Sequence, residues 1–175
     1  MSRESRGFTL VEVLVALVML AFGVLSIARL LARAGEAELE AVQRTQAMAL
    51  AQDIVDRINS NRANAAQYVG DYVPGDGLEQ CAEGAGVSIA DRDRCQWTNQ
   101  LAGALVLDEG RPIGAPLLAR GCVVASAPNL YVVAIAWQGV TPTEAPDNGC
   151  GEGAFDREAN RRVYSTVVQI ATLGV

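Results

Sequence analysis

Hydrophobic positions along the chain fall into two regions with different patterns. From position 8 to position 28 there are 21 residues among which Glu12 is the only ionisable side chain. That is about the length that a helix needs to cross roughly 30 Å of hydrocarbon in a bilayer. Beyond position 28, charged residues alternate with apolar ones at helical spacing, which predicts that the same helix continues in an amphipathic form.

The amphipathic part has one apolar stripe and no residue that must end it early. No proline occurs before Pro74, so the helix is predicted to run from about Phe8 to about Arg62 and to place its stripe on a globular domain. The stripe consists of Ala47, Leu50, Ala51, Ile54 and Ile58. The predicted organisation is a leader at 1–7, a membrane-spanning segment at 8–28, an amphipathic helix at 29–62 and a head domain at 63–175.

The head domain contains segments that are typical of strands, separated by glycine-rich and proline-rich loops. Segments rich in Val, Ile and Tyr predict three strands, and a further segment predicts a short helix capped by Asp91 or Asp93. The strands are 117–125, 130–137 and 162–173, the helix is 91–105, and the main loops are 65–90 and 139–160. The predicted fold class is α+β, with a long N-terminal helix packed on a small antiparallel sheet and a loop-rich insert that contains a short helix.

Two features of the head predict which side chains form its core. Trp97, Leu101 and Leu105 share one face of the short helix, and Trp97 is expected to anchor that helix against the sheet. In the last strand the side chains alternate between the two faces of the sheet. The set expected to face the long helix is Tyr164, Thr166, Val168, Ile170 and Thr172.

Composition excludes several functional classes. The chain has 175 residues, a formal net charge of −6 and no histidine. An acidic surface argues against nucleic acid as the main partner, and histidine is the commonest general base and metal ligand. No phosphate-binding loop or nucleophile elbow is present. The acidic loop residues fit no calcium-binding spacing. They are Asp71, Asp76, Asp147, Glu152 and Asp156. We therefore predict no enzymatic activity, no cofactor and no metal.

Four cysteines follow the membrane-spanning segment, at positions 81, 95, 122 and 150. None forms a Cys-x-x-Cys pair, which argues against a zinc site and favours two disulfide bonds in an oxidising compartment. Three connectivities are compatible with four cysteines. We favour Cys81 with Cys95 and Cys122 with Cys150, because each of these bonds closes a loop between neighbours in the sequence.

The single acidic residue in the apolar run needs a partner. A carboxylate at the centre of a bilayer costs about 2.5 to 3.5 kcal/mol and is by default a functional residue. Arg3 and Arg6 precede Gly7, and Gly7 precedes Phe8-Thr9-Leu10-Val11-Glu12. This segment resembles the class III signal of type IV prepilins and pseudopilins. The resemblance implies that a prepilin peptidase cleaves between Gly7 and Phe8 and methylates the new Phe8 amine, so that Glu12 becomes the fifth residue.

The resemblance also implies how the chain is assembled. The Phe8 amine of one subunit is a cation, and Glu12 of its neighbour is an anion that can neutralise it. Because both charges must leave water, the pair is expected to set the register between subunits more than to add net stability. The leader is expected in the cytoplasm and the head in the periplasm while the helix waits in the inner membrane. After assembly the head is expected on an extracellular pilus among other pilins, with an adhesin as a further partner.

Within the family the closest resemblance is to the pilus-modification minor pilins called PilV. It rests on the N-terminal signal, on Ala136-Trp137-Gln138-Gly139 with its following loop, and on Arg161-Arg162-Val163. This implies a minor pilin at low copy or at the tip, which primes assembly and supports adhesion and twitching motility. The alternatives are a minor pseudopilin of type II secretion, a DNA-uptake pilin, and a secreted binding domain behind an ordinary signal anchor.

Overall fold

The computed structural model describes residues 7, 9–75 and 77–171. It divides into two compact units, Met1–Glu38 and Leu39–Val175. Two α-helices are present in the described residues, α1 (Leu10–Ser60) and α2 (Ile89–Leu101), with 3₁₀ helices at Arg62–Tyr68 and Glu158–Asn160. The strands are β1 (Gly70–Tyr72), β2 (Leu107–Asp108), β3 (Arg111–Pro112), β4 (Arg120–Ala127), β5 (Leu130–Gln138) and β6 (Arg161–Gln169).

The first unit is the N-terminal part of α1. The helix is continuous through Gly23 and Gly35, and every described side chain from position 9 to position 38 is exposed. Its most apolar 18-residue window has a mean hydropathy of 2.7, and α1 is long and apolar enough to cross a membrane. The helix therefore carries an apolar surface that needs a cover other than this chain's own core.

The second unit packs the C-terminal part of α1 on an antiparallel sheet. The sheet order is β1-β4-β5-β6, and β2 pairs separately with β3. The predicted apolar stripe of α1 is confirmed, because its five residues are buried in the core together with the inner face of the sheet. Val168 is buried there, and Tyr164 and Ile170 pack against it, so the predicted inner face of the last strand is also correct. Thr172 lies outside the described residues.

Several predicted boundaries were wrong at their ends. α2 begins at Ile89 rather than Asp91, because the Ser88 hydroxyl accepts a hydrogen bond from the Asp91 backbone N–H and caps the helix. α2 ends at Leu101, which leaves Leu105 exposed instead of on the core face. β4 starts at Arg120 because Leu118 has a left-handed φ of 54°, which no strand residue adopts. β6 covers Arg161–Gln169, whereas the prediction extended to Leu173, which lies outside the described residues.

Two short elements fall in segments that were predicted to be irregular. The predicted loop at 65–90 contains the end of the first 3₁₀ helix and strand β1. The segment after α2, for which neither a helix nor a strand was predicted, contains the β2–β3 hairpin. These strands are three residues and two residues long. Such segments are too short to show an alternating pattern, so no periodic signal predicts them.

Trp97 is the anchor that joins α2 to the rest of the head. It is fully buried, and its indole N–H donates a hydrogen bond of 2.9 Å to the Leu50 carbonyl oxygen in α1. Its ring meets that of Tyr72 edge to face, with 4.7 Å between centroids. A Cβ atom on Gly121 in β4 would lie 2.3 Å from the Trp97 ring. The ring thus packs against α1, β1 and β4 at once, which confirms the predicted contact with the sheet and adds one with α1.

Substitution of Gly121 with Ala tests this packing. The added methyl group overlaps the Trp97 ring, and overpacking of a buried site costs about 1 to 3 kcal/mol. We expect a fall in the melting temperature of the purified protein by several degrees, measured by thermal denaturation. Gly149→Ala is the matched control, because a Cβ atom there approaches nothing closer than 3.7 Å. Equal melting temperatures for the two variants would contradict the described position of Trp97.

Both disulfide bonds are formed between neighbours in the sequence. Cys81 is bonded to Cys95, and Cys122 is bonded to Cys150. These are the two pairings that were predicted because each bond closes a loop between cysteines that are neighbours in the sequence. The second bond ties the 139–160 loop to β4, where Cys150 joins a smaller apolar cluster on the outer face of the sheet with Ala134, Ala136 and Phe155. This loop therefore covers one part of that outer face.

A polar network links the end of α1 to α2. Arg57 forms ion pairs with Asp53 at 2.7 Å and with Asp93 at 3.0 Å. The Tyr68 hydroxyl donates a hydrogen bond to the Asp93 carboxylate. Burial, together with this hydrogen bond, raises the pKa of Tyr68 to about 12. The network fixes the position at which the chain leaves α1.

The raised pKa of Tyr68 predicts a loss of stability in alkali. An unfolded tyrosine ionises near pH 10. The stabilisation that comes from keeping the Tyr68 phenol neutral is therefore complete below about pH 10 and is lost as the pH rises through 12. We expect the melting temperature to fall more steeply between pH 9 and pH 12 in the wild type than in Tyr68→Phe. Tyr164→Phe leaves this network intact and should keep the wild-type slope.

Candidate functional site: the N-terminal assembly segment

Thr9 caps the first turn of α1. Its hydroxyl accepts a hydrogen bond of 3.3 Å from the Glu12 backbone N–H, and its carbonyl accepts one of 3.1 Å from the same group. The carbonyl also accepts from Val13 N–H at 3.3 Å. Thr9 is thus the N-cap residue, and it satisfies donors that a helix start leaves without intrahelical partners. The N-cap therefore lies two residues after Gly7, and α1 begins at the next residue, Leu10.

Glu12 lies in that first turn and is exposed. The N-terminal end of a helix carries a partial positive charge, which favours a carboxylate at this position. In the 9–38 segment, the next charged side chain after Glu12 is Arg29, four to five helical turns along the chain. Among the described residues, no ion pair of Glu12 is formed within the chain. Its carboxylate is therefore exposed and unpaired within the described residues.

Between Glu12 and Arg29 the helix surface carries no charged residue on any side. Leu20 and Phe22, for example, are 65% and 64% exposed, and every residue from position 13 to position 28 is exposed. A helix that is apolar all round is typical of a membrane span or of the core of a helical assembly. The site therefore combines one accessible carboxylate with a surface suited to lipid or to other apolar helices.

The predicted processing residues lie just before this helix. Gly7 is exposed and lies outside α1. Phe8, the predicted methylation residue, lies outside the described residues, as do Arg3 and Arg6. Cleavage after Gly7 remains a prediction, and it would place the new amine one residue before the Thr9 cap.

The capping role of Thr9 was not predicted from the sequence, although the sequence carries its signal. Thr9 and Glu12 have the spacing of a capping box, in which a Thr or Ser at the N-cap is followed three residues later by Glu. From the apolar run, Glu12 was interpreted only as a charged residue within a membrane-spanning segment. The same residue also marks the beginning of the helix.

No metal site is found in the part of the chain that the structure describes. No group of three His, Cys, Asp or Glu side chains there could hold a metal ion. Asp76, one of the acidic loop residues, lies outside that part. The four cysteine sulfurs are held in disulfide bonds and are not free nucleophiles.

Comparison with known proteins agrees with this geometry. Residues 2–28 match the family model described as Prokaryotic N-terminal methylation motif, and residues 30–96 match the one described as Type IV pilin Tt1218. Over these two segments the chain is similar to type IV pilins, which are structural subunits and not enzymes. The match to the Tt1218-like pilins covers its amphipathic helix and the first part of its head. No curated protein and no solved structure matches the chain.

Proposed function

We propose that the chain is a minor pilin of the PilV type. In this proposal, a prepilin peptidase cleaves after Gly7 and methylates Phe8. The chain then enters a type IV pilus at low copy or at the tip, where it primes assembly and supports adhesion and twitching motility. The observation that carries the proposal is α1 itself, whose exposed apolar surface bears one accessible carboxylate, Glu12, beside the methylation motif.

The mechanism proceeds in two stages. Before assembly, the inner membrane covers the apolar surface of α1, with the leader in the cytoplasm and the head in the periplasm. During assembly, other pilin helices replace the lipid, and the Glu12 carboxylate meets the methylated amine of a neighbouring subunit. The exchange is favourable only in a register that pairs the two charges, because an unpaired charge in an apolar surrounding costs several kcal/mol.

The minor role is supported by the PilV-like segments of the head. Trp137 and Gln138 end β5, and Arg161 begins β6 after the long loop. Arg161 is 3% exposed and donates hydrogen bonds to the backbone carbonyls of Pro146, Asn148 and Cys150. These PilV-like segments therefore meet where the loop is fastened to the sheet. A surface loop held in this way is suited to contact with a specific partner at a filament tip.

Deletion of the gene separates this function from its alternatives. We expect loss of surface pili and of twitching motility, with restoration by the wild-type gene supplied in trans and unchanged secretion of type II substrates. Loss of secretion with normal twitching would contradict the proposal and favour a pseudopilin. Loss of DNA uptake alone, together with DNA binding that weakens steeply with salt, would favour a DNA-uptake pilin.

A further inference from the structure

One end of the head carries a surface of large apolar side chains that are exposed. A groove of about 540 Å³ at this end is lined by Val73, Ile113, Leu117 and Leu118, among other residues. The Ile113 N–H donates a hydrogen bond to the Val106 carbonyl oxygen, so the β2–β3 hairpin continues the same surface. We call this surface the entry-end patch. Its exposed apolar residues are Val73, Leu105, Val106, Leu107, Ile113, Leu117, Leu118 and Val140.

The strands place this patch at the end of the head where α1 enters it. β4 begins and β5 ends there, and the Gln138 N–H donates a hydrogen bond to the Leu117 carbonyl oxygen. Two residues further on, the Val140 N–H donates a hydrogen bond of 2.8 Å to the Glu40 carboxylate. Glu40 is the second residue of the unit that forms the head. Leu117 and Val140 therefore lie beside the point at which the chain arrives from the predicted membrane-spanning segment.

The direction of α2 leads to the same end. Arg57 near the end of α1 pairs with Asp93 in the first half of α2, whereas the Leu50 carbonyl accepts a hydrogen bond from Trp97 in the second half. The two helices therefore run in opposite directions, and the patch residues between α2 and β4 follow at the entry end. β1 is antiparallel to β4, so it also runs towards this end and is followed there by Val73.

Leu118 is held in a backbone conformation that a leucine rarely adopts. Its φ of 54° lies in the left-handed region, which is strained for a bulky side chain. The side chain is 56% exposed, so packing in the head's own core does not explain the strain. Residues strained in this way cluster at binding sites, where a contact outside the local structure makes use of the exposed side chain.

The length of chain before the head brings a lipid surface to this end. Residues 29–38 separate the predicted membrane-spanning segment from Leu39, and ten residues of helix rise by about 15 Å. The headgroup layer takes up about 5 to 7 Å of that length on each side of a bilayer. Membrane-spanning helices tilt by about 20° on average, and a tilt towards the patch brings it closer to the lipid. The loops that carry the patch also continue beyond the ends of β4 and β5.

The charges around the patch are balanced. The carboxylates of Asp108 and Glu109 in the hairpin lie 4.0 and 3.7 Å from the Arg111 guanidinium. Arg120 lines the groove and adds a second cation. An exposed apolar surface with polar residues at its rim is typical of a site that contacts a membrane or another protein. Because the charges cancel, a lipid contact here depends on the apolar side chains and does not require anionic lipid.

We infer that the entry-end patch docks on the periplasmic surface of the inner membrane before assembly, with Leu117 and Leu118 inserted among the lipid headgroups. The inference rests on the membrane stage of the proposed function, and it is independent of the minor role and of the Glu12 contact. It gives the waiting subunit a second contact with lipid besides α1. Extraction of the subunit into a filament must then release the head from the bilayer as well as the helix.

Fluorescence quenching of the full chain in phosphatidylcholine vesicles tests this docking. One cysteine is added and labelled with the fluorophore NBD, since the native cysteines are held in disulfide bonds. We expect NBD at Leu118→Cys to emit at shorter wavelength and to be quenched by lipids that carry a nitroxide near the headgroup. Ser126→Cys is the matched control, because it is exposed about 20 Å further along β4 and should not be quenched.

A third label, at Leu20→Cys in the apolar part of α1, reports insertion of the helix itself. Quenching at Leu20 without quenching at Leu118, or equal quenching at Leu118 and Ser126, would overturn the docking and leave the proposed function intact. Absence of quenching at Leu20 would overturn the membrane stage of the proposed function together with the inference that rests on it.

Removal of the apolar side chains provides a second test. With NBD at Ile113→Cys, the double variant Leu117→Ser and Leu118→Ser should lower the ratio of docked to free heads at least about tenfold, because two leucines no longer leave water. Both side chains are exposed, so the core of the head is unchanged. Val124→Ser with Val167→Ser removes two equally exposed valines elsewhere on the head and should keep the quenching. Unchanged quenching in the leucine variant would overturn the docking. If that variant also entered filaments poorly, the patch would instead belong to a contact with a neighbouring subunit.

Discussion

Replacement of Glu12 by Gln is expected to reduce incorporation of the chain into filaments by at least about tenfold. At an effective dielectric near 20, two unit charges 4 Å apart attract by about 4 kcal/mol, and desolvation removes part of this gain. A remaining preference of about 1.4 kcal/mol for the correct register corresponds to the tenfold effect. Gln has nearly the same shape as Glu, so the variant removes the charge and leaves the packing of α1 intact.

The measurement compares the chain in sheared surface filaments with the chain that remains in the membrane. Glu36→Gln is the matched control, because Glu36 is also an exposed acid on α1 but lies beyond the apolar run. It should incorporate as the wild type does. Membrane levels of both variants should be normal. Wild-type incorporation of Glu12→Gln would show that the carboxylate has no part in register.

The second large effect is expected from Arg161→Leu, which should destabilise the head by about 3 to 5 kcal/mol. Arg161 is buried, and its guanidinium pairs with Glu158 as well as with the three loop carbonyls. Leu keeps much of the volume but leaves these acceptors buried without donors. The partner carboxylate responds to the same contact, since its hydrogen bond from Arg161 lowers the pKa of Glu158.

Arg157→Leu provides the control for this prediction. Arg157 is exposed on the same loop, so its loss should change the stability little. The stability of Arg161→Lys should fall between those of the two Leu variants. Lysine keeps the positive charge but lacks the planar guanidinium that donates to several carbonyls at once. Thermal and urea denaturation of the purified chains would measure the three free energies of unfolding. Equal stability of Arg161→Leu and Arg157→Leu would contradict the role of Arg161 in holding the loop.

The long helix and the sheet were predictable because their patterns are long. The five-residue apolar stripe of α1 repeats over three turns, β5 is a nine-residue strand buried on both faces, and β6 is a nine-residue strand rich in β-branched residues. In a pattern of this length, one residue that departs from the period does not change the predicted element. The burial of Trp97 was predictable for a related reason, since an aromatic residue on an amphipathic helix most often faces the core.

Other features depend on contacts that a linear pattern does not contain. β1 has three residues, and its pairing with β4 is fixed by tertiary contacts such as the edge-to-face meeting of Tyr72 and Trp97. Asp93 was an expected helix cap, but it is used by Tyr68 and Arg57 from distant parts of the chain. Arg161 looked like one of two charges before a strand, and only the folded loop reveals its burial.

The assembly segment was predictable from its motif, and part of its geometry was not. The apolar run and the lone acid indicated Glu12, whereas the Thr9 hydrogen bonds that begin the helix depend on local backbone geometry. The spacing of Thr9 and Glu12 was nevertheless in the sequence. Glu12 therefore has two roles in the sequence: it is the lone acid of the apolar run, and with Thr9 it marks the start of α1.

Mass spectrometry of the mature N-terminus, recovered from filaments, is the decisive test of processing and methylation. We expect a chain that begins at Phe8, lacks residues 1–7 and carries one additional methyl group on its amine. Unprocessed prepilin in a host without the peptidase is the control and should begin at Met1 or Ser2. A mature chain that begins anywhere else, or a Phe8 start without the methyl group, would contradict the claim that a methylated amine meets Glu12.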